Sequence, residues 1–155
     1  MNDRQTRAAW LAEFAGTAGM VGFGLLAVGF FWSAASPAAM WPLNAAVRRL
    51  VTGFFFAGGA TVLIYSPLGR ISGGHINPSV TLAFFTLGKI SPRNTVAYIL
   101  CQLAGGFAGV LVPWFVLVHV PGWSDAITVG ATQPGTGFPL WLVIVLEIIV
   151  TATLM

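Results

Sequence analysis

Ser72-Gly73-Gly74-His75-Ile76-Asn77-Pro78-Ser79-Val80-Thr81 is the segment that most restricts how this chain can fold, because it interrupts runs of membrane-grade hydrophobicity. Asn is a strong helix cap, and Pro suits the first helical position, where its missing N–H costs nothing. The apolar run that follows ends at Gly88-Lys89, with Pro92 just beyond. A helix over 77–88 with its core at Pro78–Leu87 is about 15 Å long, half of a hydrocarbon core. Irregular backbone at membrane depth survives only where protein surrounds it or where it lines a water-filled cavity. The segment therefore points to a pore.

Composition agrees with a polytopic membrane protein. The chain is 57% hydrophobic and 7% charged, against roughly 25% charged residues in soluble domains. Its net charge of +3 is small and its seven basic residues are scattered, which argues against a nucleic-acid partner. The single cysteine, Cys101, supports no disulfide framework and reads as packing. Apolar spans are expected near 8–32, 45–65, 94–118 and 140–155, the first three long enough to cross a bilayer. The first is too long for the apolar core of a signal peptide, typically ~7–15 residues, and reads as a retained span.

If the half-helix enters and leaves by one face, Arg4, Arg7, Arg70, Lys89 and Arg93 share a side, with Arg48 and Arg49 opposite. That asymmetry predicts a cytoplasmic N-terminus. Glu13-Phe14-Ala15-Gly16-Thr17 and Glu147-Ile148-Ile149-Val150-Thr151 repeat Glu-x-x-x-Thr at an offset of 134 positions, in spans of opposite direction. An inverted-topology repeat begins this way. The chain stops on Thr153-Leu154-Met155, where a carboxylate would sit in hydrocarbon, so the expectation is an incomplete channel domain over 1–155 cut inside its fourth helix.

Intramembrane Glu13 and Glu147 default to functional groups, and a proton relay is one reading of them. His75 has no His, Cys or carboxylate at ligand spacing, so no metal site is expected. No constellation supports an enzyme built on Glu13 and His75. Gly16, Gly19 and Gly22, and the pair Gly105 and Gly109, read as small-residue faces for close helix crossing. Phe54-Phe55-Phe56 and the tryptophans Trp41, Trp114 and Trp123 read as lipid-facing or interfacial.

Together these residues resemble the major intrinsic protein family, the aquaporins and glycerol facilitators. The Ser72–Thr81 segment is close to that family's Ser-Gly-x-His-x-Asn-Pro-Ala-Val-Thr loop, with Ser79 in place of Ala. Ala12-Glu13-Phe14-Ala15-Gly16-Thr17 matches its first-helix signature, and Tyr98 to Gly106 its third-helix pattern around Gln102. Glu147 with Thr151 matches the start of its second half. The second Asn-Pro loop, the filter arginine and the last two helices of that family are not in the sequence.

The resemblance implies an all-α membrane fold: an aquaporin-like helical bundle with a re-entrant half-helix, comprising the first half-repeat plus the start of the fourth helix. It implies passive movement of water or small neutral solutes through the plasma membrane, with no cofactor and as a homotetramer. The Asn77 amide would face the pore, and Gly73, Gly74, His75 and Ile76 would offer carbonyls from extended backbone, His75 facing the mouth. Glu13, Gln102 and Glu147 would brace the re-entrant loops. Met20, Ala57, Thr61 and Leu154 would line the pore, Ala57 standing at the helix-2 filter position, 20 residues before Asn77. A one-residue slip would put Phe56 there. The small Ala57 predicts an opening for bulkier hydroxylated solutes, including metalloid hydroxides. The rival class is a proton-coupled secondary transporter using Glu13 and Glu147.

Overall fold

The computed structural model describes residues 3–120, 134 and 137–154. Among the described residues six helices follow one another: α1 Asp3–Trp32, α2 Ala45–Tyr65, α3 Pro67–Ser72, α4 Pro78–Thr86, α5 Pro92–His119 and α6 Leu140–Leu154. A 3-10 turn, Pro37–Met40, lies between α1 and α2. Helices α1, α2 and α5 are long and apolar enough to cross a membrane. Leu140–Thr153 in α6 is apolar but shorter.

Local chemistry sets the ends. Asn44 accepts from Val47 N (2.9 Å) to cap α2, and Ser91 caps α5 ahead of Pro92. Ser66 serves two helices: its hydroxyl donates to Leu63 O (2.6 Å) at the end of α2 and accepts from Leu68 N (3.2 Å) at the start of α3. With Pro67 at the first helical position, this gives α3 a start that the apolar pattern did not predict. The half-helix α4 stops at Thr86, shorter than expected. Gly88, at φ 67°, donates to Phe85 O and Lys89 N to Phe84 O, a Schellman closure that spends the last carbonyls. Nine residues rise about 13 Å.

The tightest packing is α1 against α5, at the predicted glycine pair. A Cβ on Gly105 would lie 2.3 Å from the Phe14 carbonyl oxygen, and one on Gly109 2.5 Å from that of Ala18. The two backbones touch because neither position carries a side chain. Helix α6 packs on none of the other described elements.

At the opposite end from the N-terminus, Ala27, Phe31 and Ala38 form a buried cluster flanked by Phe30, Trp32 and Val51. Arg48 donates to Phe31 O (2.8 Å) and Ala38 O (3.5 Å), and Arg49 sits 6.0 Å from the centre of the Trp32 ring. Trp32 Nε1 donates to Thr52 Oγ1 (3.1 Å), which in turn donates to Arg48 O. The two arginines that oppose the charge asymmetry thus have local partners: one binds a carbonyl near the end of α1 and one in the 3-10 turn, the other stacks on the last residue of α1. Arg48→Ala should cost about 1.5–3 kcal/mol through lost charged hydrogen bonds, and thermal unfolding in detergent would show it. Arg49→Ala should shift the midpoint less.

Candidate functional site

Residues 73–76 carry the chain from α3 to α4, and three of the four have positive φ: Gly73 at 92°, Gly74 at 66° and Ile76 at 51°. The expected extended backbone is corrected here to left-handed turns. Such turns point successive N–H groups to one side, making a concave donor surface. An acceptor is buried opposite it. Glu13, fully enclosed on α1, accepts from His75 N at 3.0 Å through Oε1 and from Ile76 N at 2.6 Å through Oε2. Extended backbone would alternate those two donors.

A β-branched residue with positive φ is strained. Ile76 is held there from three sides. Glu13 takes its N–H, Thr17 Oγ1 donates to its carbonyl (3.4 Å), and Gly16 leaves room for its side chain. A Cβ on Gly16 would stand 3.3 Å from Ile76 Cδ1.

Gln102 on α5 completes the cluster. Its Nε2 donates to Glu13 Oε2 (2.7 Å) and to Thr81 Oγ1 (2.9 Å). Thr81 Oγ1 also lies 3.1 Å from Asn77 O and 3.1 Å from His75 Nδ1. With the single Thr81 hydroxyl proton given to Asn77 O, His75 must donate from Nδ1. Gln102 Oε1 is buried and accepts no hydrogen bond among the described residues. The amide cannot gain by turning over, since its oxygen would then face the Glu13 carboxylate.

The His75 ring is buried, stacked on Phe84 (centroids 4.5 Å apart) and edge-on to Tyr98 (5.2 Å), instead of facing the mouth. Tyr98 OH donates to Ser72 O (2.7 Å), and Gly74 N to Ser72 Oγ (3.1 Å), fixing the start of the loop. Thr17, Thr81 and Tyr98 were given no role by sequence reasoning. A signal existed: each stands four residues from a functional position, Glu13, Asn77 and Gln102 respectively, so each shares that residue's helix face.

Asn77 is exposed and caps α4, its Oδ1 accepting from Ser79 N at 2.8 Å. That bond turns the amide nitrogen outward, and Nδ2 has no partner among the described residues. Pro78 at the first turn leaves the N-terminal end of α4 beside this amide. Gly73 is exposed as well, while Gly74 and Ile76 are buried.

The remaining predicted residues lie apart from the cluster. Met20 is half-buried on α1, and Ala57 and Thr61 are exposed on α2, where Thr61 Oγ1 donates to Ala57 O (2.8 Å). Glu147 is exposed on α6, away from the loop. The Leu154 side chain lies outside the described residues. Among the described residues, no three His, Cys, Asp or Glu side chains group as a metal site would need.

A half-length helix, capped at its inner end and strapped by a buried carboxylate to a spanning helix, defines a membrane protein with a re-entrant loop. The chain belongs to the major intrinsic protein family, whose profile matches residues 1–155. It is 34% identical over 156 residues to Aquaporin AqpM of Methanothermobacter thermautotrophicus, covering 94% of this chain and 61% of that protein. To Probable aquaporin AqpM of Archaeoglobus fulgidus it is 40% identical over 103 residues, 66% of this chain and 41% of the other. The Propanediol uptake facilitator PduF of Salmonella typhimurium is 27% identical over 169 residues, 100% of this chain and 60% of the facilitator. The chain thus spans about two fifths to three fifths of the length of these relatives.

Proposed function

We propose that the complete protein is a passive channel for water and small neutral solutes, entered from the cytoplasmic side past the Ser72–Asn77 loop. The observation that carries this reading is the Asn77 amide, capped on one side and free to donate on the other. A solute oxygen that loses water on entering the pore needs such a donor. The α4 N-terminus adds about half an elementary positive charge beside it, which favours oxygen atoms and repels cations.

Met20, Ala57 and Thr61, with Leu154 from α6, supply the walls of that path. Gly73, Gly74, His75 and Ile76 supply the loop carbonyls. Small Ala57 favours solutes broader than water, of glycerol size or metalloid hydroxides, and the similarity to a propanediol uptake facilitator supports that class. Glu13 and Gln102 hold the first re-entrant loop, and Glu147 does so for a second, opposed loop. The protein sits in the plasma membrane as a homotetramer, its N-terminus cytoplasmic in keeping with the basic residues on that side. Proton-coupled transport fits less well, because a proton carried on Glu13 would have to displace one of three donors already aimed at it.

Asn77→Asp tests the assignment, since it keeps the cap while replacing the free donor with an anion. Membrane insertion should be normal and glycerol flux into proteoliposomes should fall at least about tenfold, the loss of one hydrogen bond to a dehydrated solute. Normal flux through the variant would leave Asn77 as a helix cap only.

A further inference from the structure

Ser79 follows Asn77 and Pro78 at the start of α4. The other two hydroxyls of that helix are spent on its own backbone. Thr81 Oγ1 donates to Asn77 O (3.1 Å) and Thr86 Oγ1 to Ala83 O (2.8 Å). Ser79 Oγ has no partner among the described residues. The shape of the loop explains the difference. A helical serine returns its proton to a carbonyl three or four residues back, here Ile76 O or His75 O. Both residues precede the helix, and the left-handed turn at Ile76 delivers its carbonyl to Thr17 Oγ1 on α1 (3.4 Å).

The direction of the free hydroxyl follows from helix geometry. Thr81, buried and bonded to Gln102, marks the face by which α4 is anchored to α5. Ser79 lies two residues before it, about 200° around the helix, so it looks away from that anchor. It is exposed, like Asn77. Its own N–H donates to Asn77 Oδ1 at 2.8 Å. Three covalent bonds separate that nitrogen from Oγ, which keeps the hydroxyl within about 6 Å of the Asn77 amide oxygen. The tip of the half-helix thus carries two unspent polar groups side by side. Asn77 Nδ2 only donates, whereas Ser79 Oγ donates and accepts.

We propose that Ser79 is a specificity-determining residue that favours linear polyols over water. This rests on the channel reading above. A water molecule in a narrow file keeps hydrogen bonds to the waters before and behind it. A polyol fills that space with its carbon chain, so each hydroxyl must turn to the wall or stay unpaired at a desolvation cost. While Asn77 donates to one hydroxyl oxygen, the adjacent hydroxyl gives its proton to Ser79 Oγ. An alanine here would offer only a methyl group.

Ser79→Ala should lower glycerol flux about three- to tenfold, the worth of one hydrogen bond, and leave water flux within about twofold. Ser79→Thr keeps a hydroxyl and should hold the glycerol-to-water ratio near wild type. Thr86→Ala removes a hydroxyl of the same helix that is already paired, and should not move the ratio. The assay is light-scattering flux in proteoliposomes of the complete channel, with protein content matched. Should Ser79→Ala not reach the membrane, Ser79→Cys keeps the side-chain shape with a weak thiol in place of the hydroxyl and reads the same direction.

A Ser79 that only braced the half-helix would lower both fluxes in parallel when replaced, and that outcome overturns the proposal. So does a ratio that Ser79→Ala leaves unchanged, one that Thr86→Ala shifts equally, or a wild type that passes water and excludes glycerol. Wild-type vesicles that pass neither would instead overturn the channel reading itself.

Discussion

Glu13→Gln should cost the protein its re-entrant loop. The carboxylate receives three donors, from His75 N, Ile76 N and Gln102 Nε2. A glutamine offers one acceptor oxygen and places an NH₂ group against at least one of those donors. Two effects add: charge-assisted bonds become ordinary ones, and a buried N–H loses its partner. Each is worth about 1–3 kcal/mol, so a total near 3–5 kcal/mol is expected. Ile76 would then lack one of the constraints that keep it at φ 51°. Thermal unfolding in detergent should show a large drop, with protease cleavage appearing within 73–77. Glu13→Asp, which keeps the charge but is one methylene short, should be intermediate.

Gly105→Val should be as damaging, through sterics alone. Its Cβ would meet the Phe14 carbonyl oxygen at 2.3 Å, and backbone on a helix cannot step aside as a flexible side chain can. Helix α5 must move off α1, which also pulls Gln102 away from Glu13 and Thr81. Overpacking of this kind costs roughly 1–3 kcal/mol or more. Loss of folded protein in size-exclusion profiles, with Gly106→Ala as a milder comparison, would measure it. The added methyl at Gly106 meets only Thr17 Cγ2, at 4.0 Å.

The spans and the half-helix were legible because they depend on local signals: apolar length, the Asn77-Pro78 start and the Gly88 stop. The Gly105 and Gly109 crossing was legible for the same reason, since its spacing is local. Short α3 was not, because six residues carry no periodicity and only Ser66 and Pro67 announce them. Nor was the left-handed course of residues 73–76. Glycine permits that shape without requiring it, and Ile76 alone would argue against it. What decides it is Glu13, some sixty positions away, which no local pattern connects to the loop. The burial of His75 has the same origin, because Phe84 and Tyr98 come from two helices that meet only in the folded chain. The opposing arginines show the limit of a charge count: Arg48 lies outside the asymmetry because Phe31 O and Ala38 O bind it.

The most direct test of the central claim is neutral-solute flux with simultaneous readout of proton movement. Proteoliposomes of the complete protein would carry an internal pH dye, and glycerol entry would be followed by light scattering. Glycerol should enter down its gradient at a rate unaffected by an imposed pH difference, with no change in internal pH. Glycerol accumulating against its gradient, at the expense of the pH difference, would contradict it and return Glu13 and Glu147 to the role of proton carriers.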